Sequence, residues 1–249
     1  MVKNFPTRRP KNCLPAEVLD RIRSGMNFTV YHGTPITPNY VFEEHMPFRN
    51  ALISFARPDQ YKLSLIHAKE IMIDNGAFSI WNKNKRAKNP KPTNWDGYFE
   101  WIDEIYADIT EFILPDVIDG TEAENDHLLT ECNLMNGIPV WHVNESFERL
   151  ERLASDYPYI AFGSAGEYST LGTQKWHDKV SKAMEIISDT DGYPQTRVHM
   201  LRCLDHRLFS LYPFYSGDST NLARNHARDT PDKILGRLRD KDSLHKLRR

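Results

Sequence analysis

Cysteine is scarce in this chain of 249 residues: Cys13, Cys132 and Cys203 lie far apart, with no C-x-x-C pair. That excludes a disulfide framework and the usual zinc spacings, and it fits a reducing cytoplasm. No long apolar run is present, so no membrane span is expected. The stretch MVKNFPTRRPKN has no apolar segment and predicts no secretory signal. No Walker loop or G-x-G-x-x-G follows a candidate strand, and no H-x-E-H spacing appears, so neither a cofactor nor a metal is expected. Charge of one sign is also lacking, the net being −2. With 40% hydrophobic and 27% charged residues the chain can bury a core, which excludes wholesale disorder.

The basic residues that are present concentrate in three places. These are the head (Lys3, Arg8, Arg9, Lys11), the stretch NKNKRAKNPKP (Lys83, Lys85, Arg86, Lys88, Lys91) and a run from Arg224 to Arg249. Each reads as a solvated surface or as a contact for a polyanion. The stretch 83–91, taken as a loop, follows the third candidate strand closely enough to lie on the active-site face and hold phosphates.

Short β-rich runs alternate with longer amphipathic ones. The strand candidates are 28–32, 51–56, 71–74, 111–116, 138–143, 159–163, 197–202 and 214–218. Helical spacing of apolar residues occupies 95–108, 121–135, 146–155 and 173–188, and Thr121 with Glu124 forms a capping-box pattern. Eight strands with interleaved helices in this length predict a single (β/α)₈ TIM barrel, with a doubly wound open sheet as rival. The expected domain covers residues 1–225, and 226–249 form a basic C-terminal helix or tail, packed on the barrel or extending from it. In either fold the carboxyl ends of the strands converge on the ligand.

Those ends are polar. Asp74, Asp116 and Asp218 each close a strand candidate, His142 runs into Asn144 and Glu145, Gly163-Ser164-Ala165-Gly166-Glu167 follows another, and RVHMLR presents His199 and Met200. One carboxylate after a strand reads as a helix N-cap. Three gathered in one low-dielectric mouth repel one another and move their pKa values apart, which suits one as nucleophile or base and another as acid. Glycines at 163 and 166 let backbone N–H groups approach a flat ligand, or serve a tight turn. Trp141 points opposite to His142 and belongs to the core.

The order of these segments resembles a family. D-N-G-A-F-S (74–79) resembles the D-S-G-G-F-Q motif of queuine-type tRNA-guanine transglycosylases, and F-I-L-P-D-V-I-D-G-T-E-A-E (112–124) resembles their segment opening with a base-reading aspartate. G-S-A-G-E (163–167) resembles G-G-L-A-V-G-E, and S-G-D-S-T-N-L-A-R-N (216–225) falls where the family carries its nucleophilic aspartate. The D-S-T form is closer to the DNA-guanine transglycosylase (DpdA-type) branch. No cysteine follows Cys203 to build the zinc site of the tRNA enzymes, and the chain ends soon after the eighth strand, where larger members add an RNA-binding module.

The resemblance implies exchange of guanine in DNA for a 7-deazaguanine base, with tRNA as the alternative polymer, no zinc and no cofactor. It implies Asp218 as nucleophile, Asp74 as general acid/base and Asp116 as acceptor for the purine edge. Phe78 would stack on the ring with Met200 on its other face, Gly163 and Ser164 would offer backbone N–H groups, and His142 would contact the base. Glu145 and Glu167 would stand behind them, or open helices. Rivals from other classes are a glycoside or nucleoside hydrolase using the same carboxylates and an inactive barrel that binds nucleic acid.

Overall fold

The computed structural model describes residues 28–88, 93–132 and 134–239. Parallel strands form where β-branched and aromatic residues are dense: β1 (Thr29–Gly33), β2 (Asn50–Ser54), β3 (Glu70–Asp74), β4 (Glu111–Ile113), β5 (Gly137–Ile138), β6 (Val140–His142), β7 (Tyr159–Gly163), β8 (Arg197–Met200) and β9 (Ser216–Ser219). Their order is β5-β4-β3-β2-β1-β9-β8-β7-β6, so the two ends of the sheet are β5 and β6. Only Pro139 separates those two. Proline has no N–H to give, and the chain changes partner there. Leu114 donates to the Ile138 carbonyl on one side and Ala161 donates to the Pro139 carbonyl on the other, both at 2.8 Å. β5 and β6 are therefore two halves of one stave, and the sheet closes into a (β/α)₈ barrel. The open doubly wound alternative is excluded.

Period-two alternation sorts the side chains. Tyr31, Leu52, Met72, Ile113, Ile138, Val140, Tyr159 and Ala161 fill the inside of the barrel. Ile53, Ile71, Ile73, Phe112, Trp141, Phe162, Val198 and Met200 face out against the helices. A one-residue slip of any strand would exchange these sets, so the alternation fixes the register.

The helices are α1 (Asn39–His45), α2 (Tyr61–His67), α3 (Ala77–Arg86), α4 (Asp96–Ile105), α5 (Glu122–Thr130), α6 (Phe147–Asp156), α7 (Gln174–Ile187), α8 (His206–Leu211), α9 (Asn221–Asn225) and α10 (Pro231–Arg239). Thr121 and Glu124 form the expected capping box, the Glu124 carboxylate accepting from the Thr121 N–H at 2.7 Å. Ser146 and Thr173 cap α6 and α7. Trp176, Val180, Met184 and Ile187 line the buried face of α7, each contributing about 1.5–3 kcal/mol by burial.

Two helices join β3 to β4. α4 buries Tyr98, Ile102 and Ile105 against the barrel in the ordinary manner. α3 is extra: only Ala77 of it is buried. It sits at the carboxyl rim, where the Trp81 indole N–H bonds Asp119 beyond β4 and the Arg202 guanidinium, beyond β8, stacks on Phe78. The stretch read as a loop is thus largely the last turn of a helix, with Lys83, Lys85 and Arg86 on it and Lys88 just past it, while Lys91 lies outside the described residues. Of the C-terminal run, α10 packs Ile234 and Leu238 into the outer core, and Arg237 grips Asp229 with two hydrogen bonds. The basic head, Cys13 and residues 240–249 lie outside the described residues. Among the described residues no helix is long and apolar enough to cross a membrane.

Candidate active site

Inward parity at the carboxyl ends brings four titratable side chains to one mouth. Asp74 closes β3, His142 closes β6, Asp218 lies in β9, and Asp116 follows β4 by three residues. Ser54 of β2 sits level with Asp74 in the register. Asp116 and Asp218 are buried, and Asp74 is half-buried. Burial raises the Asp74 pKa to about 6, helped by the charges of Asp218 and Asp116, while the Ser54 hydroxyl and the Gly76 N–H oppose the shift.

Asp218 is held by one oxygen. Its Oδ1 accepts from the Arg202 backbone N–H at 2.7 Å and from His199 Nε2 at 3.2 Å. His199 Nδ1 meets Ser216 Oγ at 2.6 Å, and Ser216 in turn bonds the Tyr159 hydroxyl. Burial first, then Glu111, keeps Tyr159 un-ionised, with a pKa well above its ordinary value. Tyr159, Ser216 and His199 thus form a hydrogen-bonded chain that ends on the Asp218 carboxyl group. Among the described residues Oδ2 has no such partner.

Asp116 is held from both sides. Asn75 Nδ2 donates to its Oδ1 at 2.7 Å and to the Leu114 carbonyl at 2.7 Å, while His142 Nε2 lies 2.9 Å from its Oδ2. Glu145 accepts from the His142 backbone N–H at 2.8 Å and meets His142 Nδ1 at 3.4 Å. Arg149, on α6 and buried, donates to Glu145 at 2.6 Å, to Asp126 at 2.9 Å and to the Val140 carbonyl at 2.8 Å. Burial disfavours a charged His142, but hydrogen bonds and charge from Asp116 and Glu145 outweigh it and raise its pKa to about 9. At neutral pH an imidazolium stands between two carboxylates.

That raised pKa fixes a pH dependence. A group bound more tightly to its proton when folded stabilises the fold below its unfolded pKa and loses that contribution as pH rises through the folded one. The contribution of His142 is present in full below about 6.5 and disappears as pH passes about 9. Urea unfolding from pH 6 to 10 should show a loss on the order of a few kcal/mol, and His142→Gln should flatten this part of the profile. An unchanged profile in the variant would remove the imidazolium from the account.

Arg202 is the cation of the mouth. Its backbone is left-handed, φ 56°, rare outside glycine and costing on the order of 1–3 kcal/mol. The turn aims its N–H at Asp218 and its guanidinium at the Ser164 carbonyl, 3.0 Å away, and over the Phe78 ring, 4.0 Å from the centroid. Burial lowers its pKa, opposed by Asp218, Asp74 and Asp116. Gly76 makes the turn into α3 at φ +78°, where a Cβ would stand 3.0 Å from the Ala56 backbone nitrogen.

The sequence-derived residues divide. Asp74, Asp116, Asp218, Gly163 and Ser164 meet at the mouth, with Phe78 at its rim, 42% exposed. Gly163 is needed for packing, since a Cβ there would lie 3.0 Å from His142 Cδ2. The Ser164 hydroxyl accepts from the Trp176 indole N–H, at 2.9 Å. Met200 must be corrected: it is fully buried on the outer side of β8 and cannot cover a ligand ring, because His199 holds the inward position. His142 must be corrected too. It is buried with both ring nitrogens engaged, so it supports Asp116 and does not touch a base. Glu145 stands behind His142, whereas Glu167 is an exposed partner of Lys175. Asn75, Arg149 and Arg202 complete the site unanticipated, together with His199 of RVHMLR. His199 alone carried a signal, sharing a strand face with Arg197 rather than with Met200.

A cavity of about 430 Å³ adjoins Asp218 through Ser219 and is lined by Leu204, Asp205, Arg207, Asn221 and Arg237 among others. Its arginines are already paired with Asp205 and Asp229, so it offers little unbalanced charge. No group of three or more His, Cys, Asp or Glu side chains is placed to hold a metal ion among the described residues.

No protein-family model matches the chain, and no curated protein matches it. Solved structures do resemble it. A protein of Aquifex aeolicus VF5 superposes with a TM-score of 0.52 at 12% identity, covering 92% of this chain and 98% of that one. Tryptophan synthase from M. tuberculosis, in an open form with BRD0059 bound, gives 0.50 at 13% identity over 90% and 97%. At such identity the likeness is one of fold.

Proposed function

We propose that this barrel is an enzyme, a pentosyltransferase that exchanges guanine in DNA for a 7-deazaguanine base through a covalent aspartyl–sugar intermediate. The observation that carries the reading is Asp218, anchored through Oδ1 by Arg202 and His199 with Oδ2 left to react. It stands beside Asp74, an acid with a pKa near neutrality.

Oδ2 attacks C1′ of the target nucleotide. The C1′–N9 bond breaks, its electron pair goes to the purine, and Asp74 delivers a proton to the departing base. The sugar remains as an ester of Asp218. The incoming base loses a proton to Asp74 and attacks C1′, releasing the carboxylate, and two inversions give net retention. Each Asp116 oxygen holds one donor and keeps a lone pair for the purine N1–H and exocyclic amine. His142 behind it, 2.9 Å from Oδ2, holds that acceptor in place. Phe78, with Arg202 over its ring and Trp81 stacked against it, meets the purine from the rim by its edge. A base in duplex DNA must leave the stack to reach this depth. The absence of a cysteine cluster favours DNA over tRNA as the polymer.

Because Asp74 must be protonated as the first base leaves, kcat/KM should fall with rising pH above about 6. The same raised pKa means that ionised Asp74 destabilises the fold at pH 8, so Asp74→Asn should raise stability there by about 1–3 kcal/mol while abolishing exchange. Thermal unfolding at pH 5 and pH 8 checks the gain, which should be larger at pH 8, because the loss develops as pH rises from 3.8 through about 6. Trapping tests the reading itself: denaturing gels of enzyme with guanine-containing DNA should show a shifted covalent band that added 7-deazaguanine discharges. A hydrolase would discharge the band without added base, and a barrel that only binds would give none.

A further inference from the structure

We propose that the exposed face of α3 is a stacking platform for an unpaired nucleotide of single-stranded DNA flanking the target base, an inference that rests on the function proposed above and extends it to the polymer. Phe78, Trp81 and Lys85 fall at helical spacing on one face of α3. The two rings are stacked, with centroids 5.7 Å apart and planes 30° apart. Lys85 Nζ lies 4.3 Å from the Trp81 ring, and the Arg202 guanidinium lies 4.0 Å from Phe78. The result is a ladder of cation, ring, ring and cation that starts beside the catalytic mouth and runs outward along the helix.

This ladder serves no core. Neither Phe78 nor Trp81 belongs to the apolar clusters of the barrel, and Ala77 is the one buried residue of α3. The Trp81 indole is nonetheless fixed by its bond to Asp119. Two large rings held rigid at the surface beside exposed Lys83, Lys85, Arg86 and Lys88 match what non-specific single-strand binders need, which is π-faces for bases and cations for the backbone. Electrostatics points the same way. The mouth holds Asp74, Asp116 and Asp218, which repel phosphate, so the backbone on either side of a flipped nucleotide must be carried by cations outside it. On α3 these cations follow directly upon the aromatic pair. An exposed cation–π contact is weak, so a base displaces the Lys85 ammonium from the Trp81 face, and the freed ammonium takes the adjoining phosphate.

The test is fluorescence anisotropy with a labelled, guanine-free single-stranded oligodeoxynucleotide, so that binding does not depend on the exchange reaction. Trp81→Leu should weaken binding about tenfold or more, and Trp81→Phe should retain most of it. Lys83→Gln with Lys85→Gln should flatten the log–log salt slope by about 0.7 for each phosphate no longer neutralised, a readout that stands even if Trp81→Leu does not fold. The same sequence as a duplex should bind without sensitivity to Trp81. Unchanged single-strand affinity in Trp81→Leu, or equal losses on single strand and duplex, would overturn the proposal, and preference for the matching oligoribonucleotide would overturn its assignment to DNA. The two readings fail separately: exchange with Trp81-independent binding sinks the platform alone, whereas Trp81-dependent binding without exchange sinks the proposed function alone.

Discussion

Asp218→Asn should reduce base exchange by on the order of 10⁴-fold or more, with no covalent adduct detectable by intact-mass spectrometry. The size of the effect follows from how the side chain is held. An asparagine can keep its carbonyl oxygen where Oδ1 stands, accepting from the Arg202 N–H and from His199, so the chain through Ser216 to Tyr159 survives. The amide nitrogen then replaces the oxygen that would attack C1′, and it has no lone pair to offer a carbon centre. The fold should therefore be intact, and the loss should appear in kcat. Exchange within tenfold of wild type would remove Asp218 from the mechanism.

Arg149→Met should cost about 3–5 kcal/mol of stability, the largest structural effect expected at any single position of the site. Arg149 is 1% exposed and satisfies Glu145, Asp126 and the Val140 carbonyl at once. Removing it strands a carboxylate in the interior behind His142 and leaves the Val140 carbonyl, at the start of β6, without its donor. Because the penalty is that of uncompensated charge, Arg149→Met with Glu145→Gln should recover part of it. Chemical denaturation of the two variants measures both quantities. Equal stability of Arg149→Met and wild type would mean that the network carries no energetic coupling.

Much of this barrel can be read from the sequence because its strands are short, locally patterned and punctuated by polar ends. All eight strand positions, the capping box at Thr121 and the carboxylates Asp74, Asp116 and Asp218 follow from neighbours within a few residues of each other. What escaped is non-local. In RVHMLR, His199 and Met200 both suit an inward place, and the choice depends on which face the helices cover. Nothing near His142 announces that Asp116 will close on its ring, 26 residues away along the chain. Arg202 escapes because a left-handed non-glycine turn has no composition signal, and α3 escapes because its lysines conceal a helix that hardly touches the core.

Exchange of the base is the claim on which the account rests, and transfer of radiolabelled guanine into DNA measures it most directly. Enzyme, guanine-containing DNA and labelled free guanine are incubated together, and label is counted in the precipitated polymer. The account predicts label incorporated in wild type, none with Asp218→Asn, and release of the label from the polymer when unlabelled 7-deazaguanine is added. DNA that stays unlabelled while guanine is released, leaving sugars without bases, would contradict exchange and make the barrel a hydrolase.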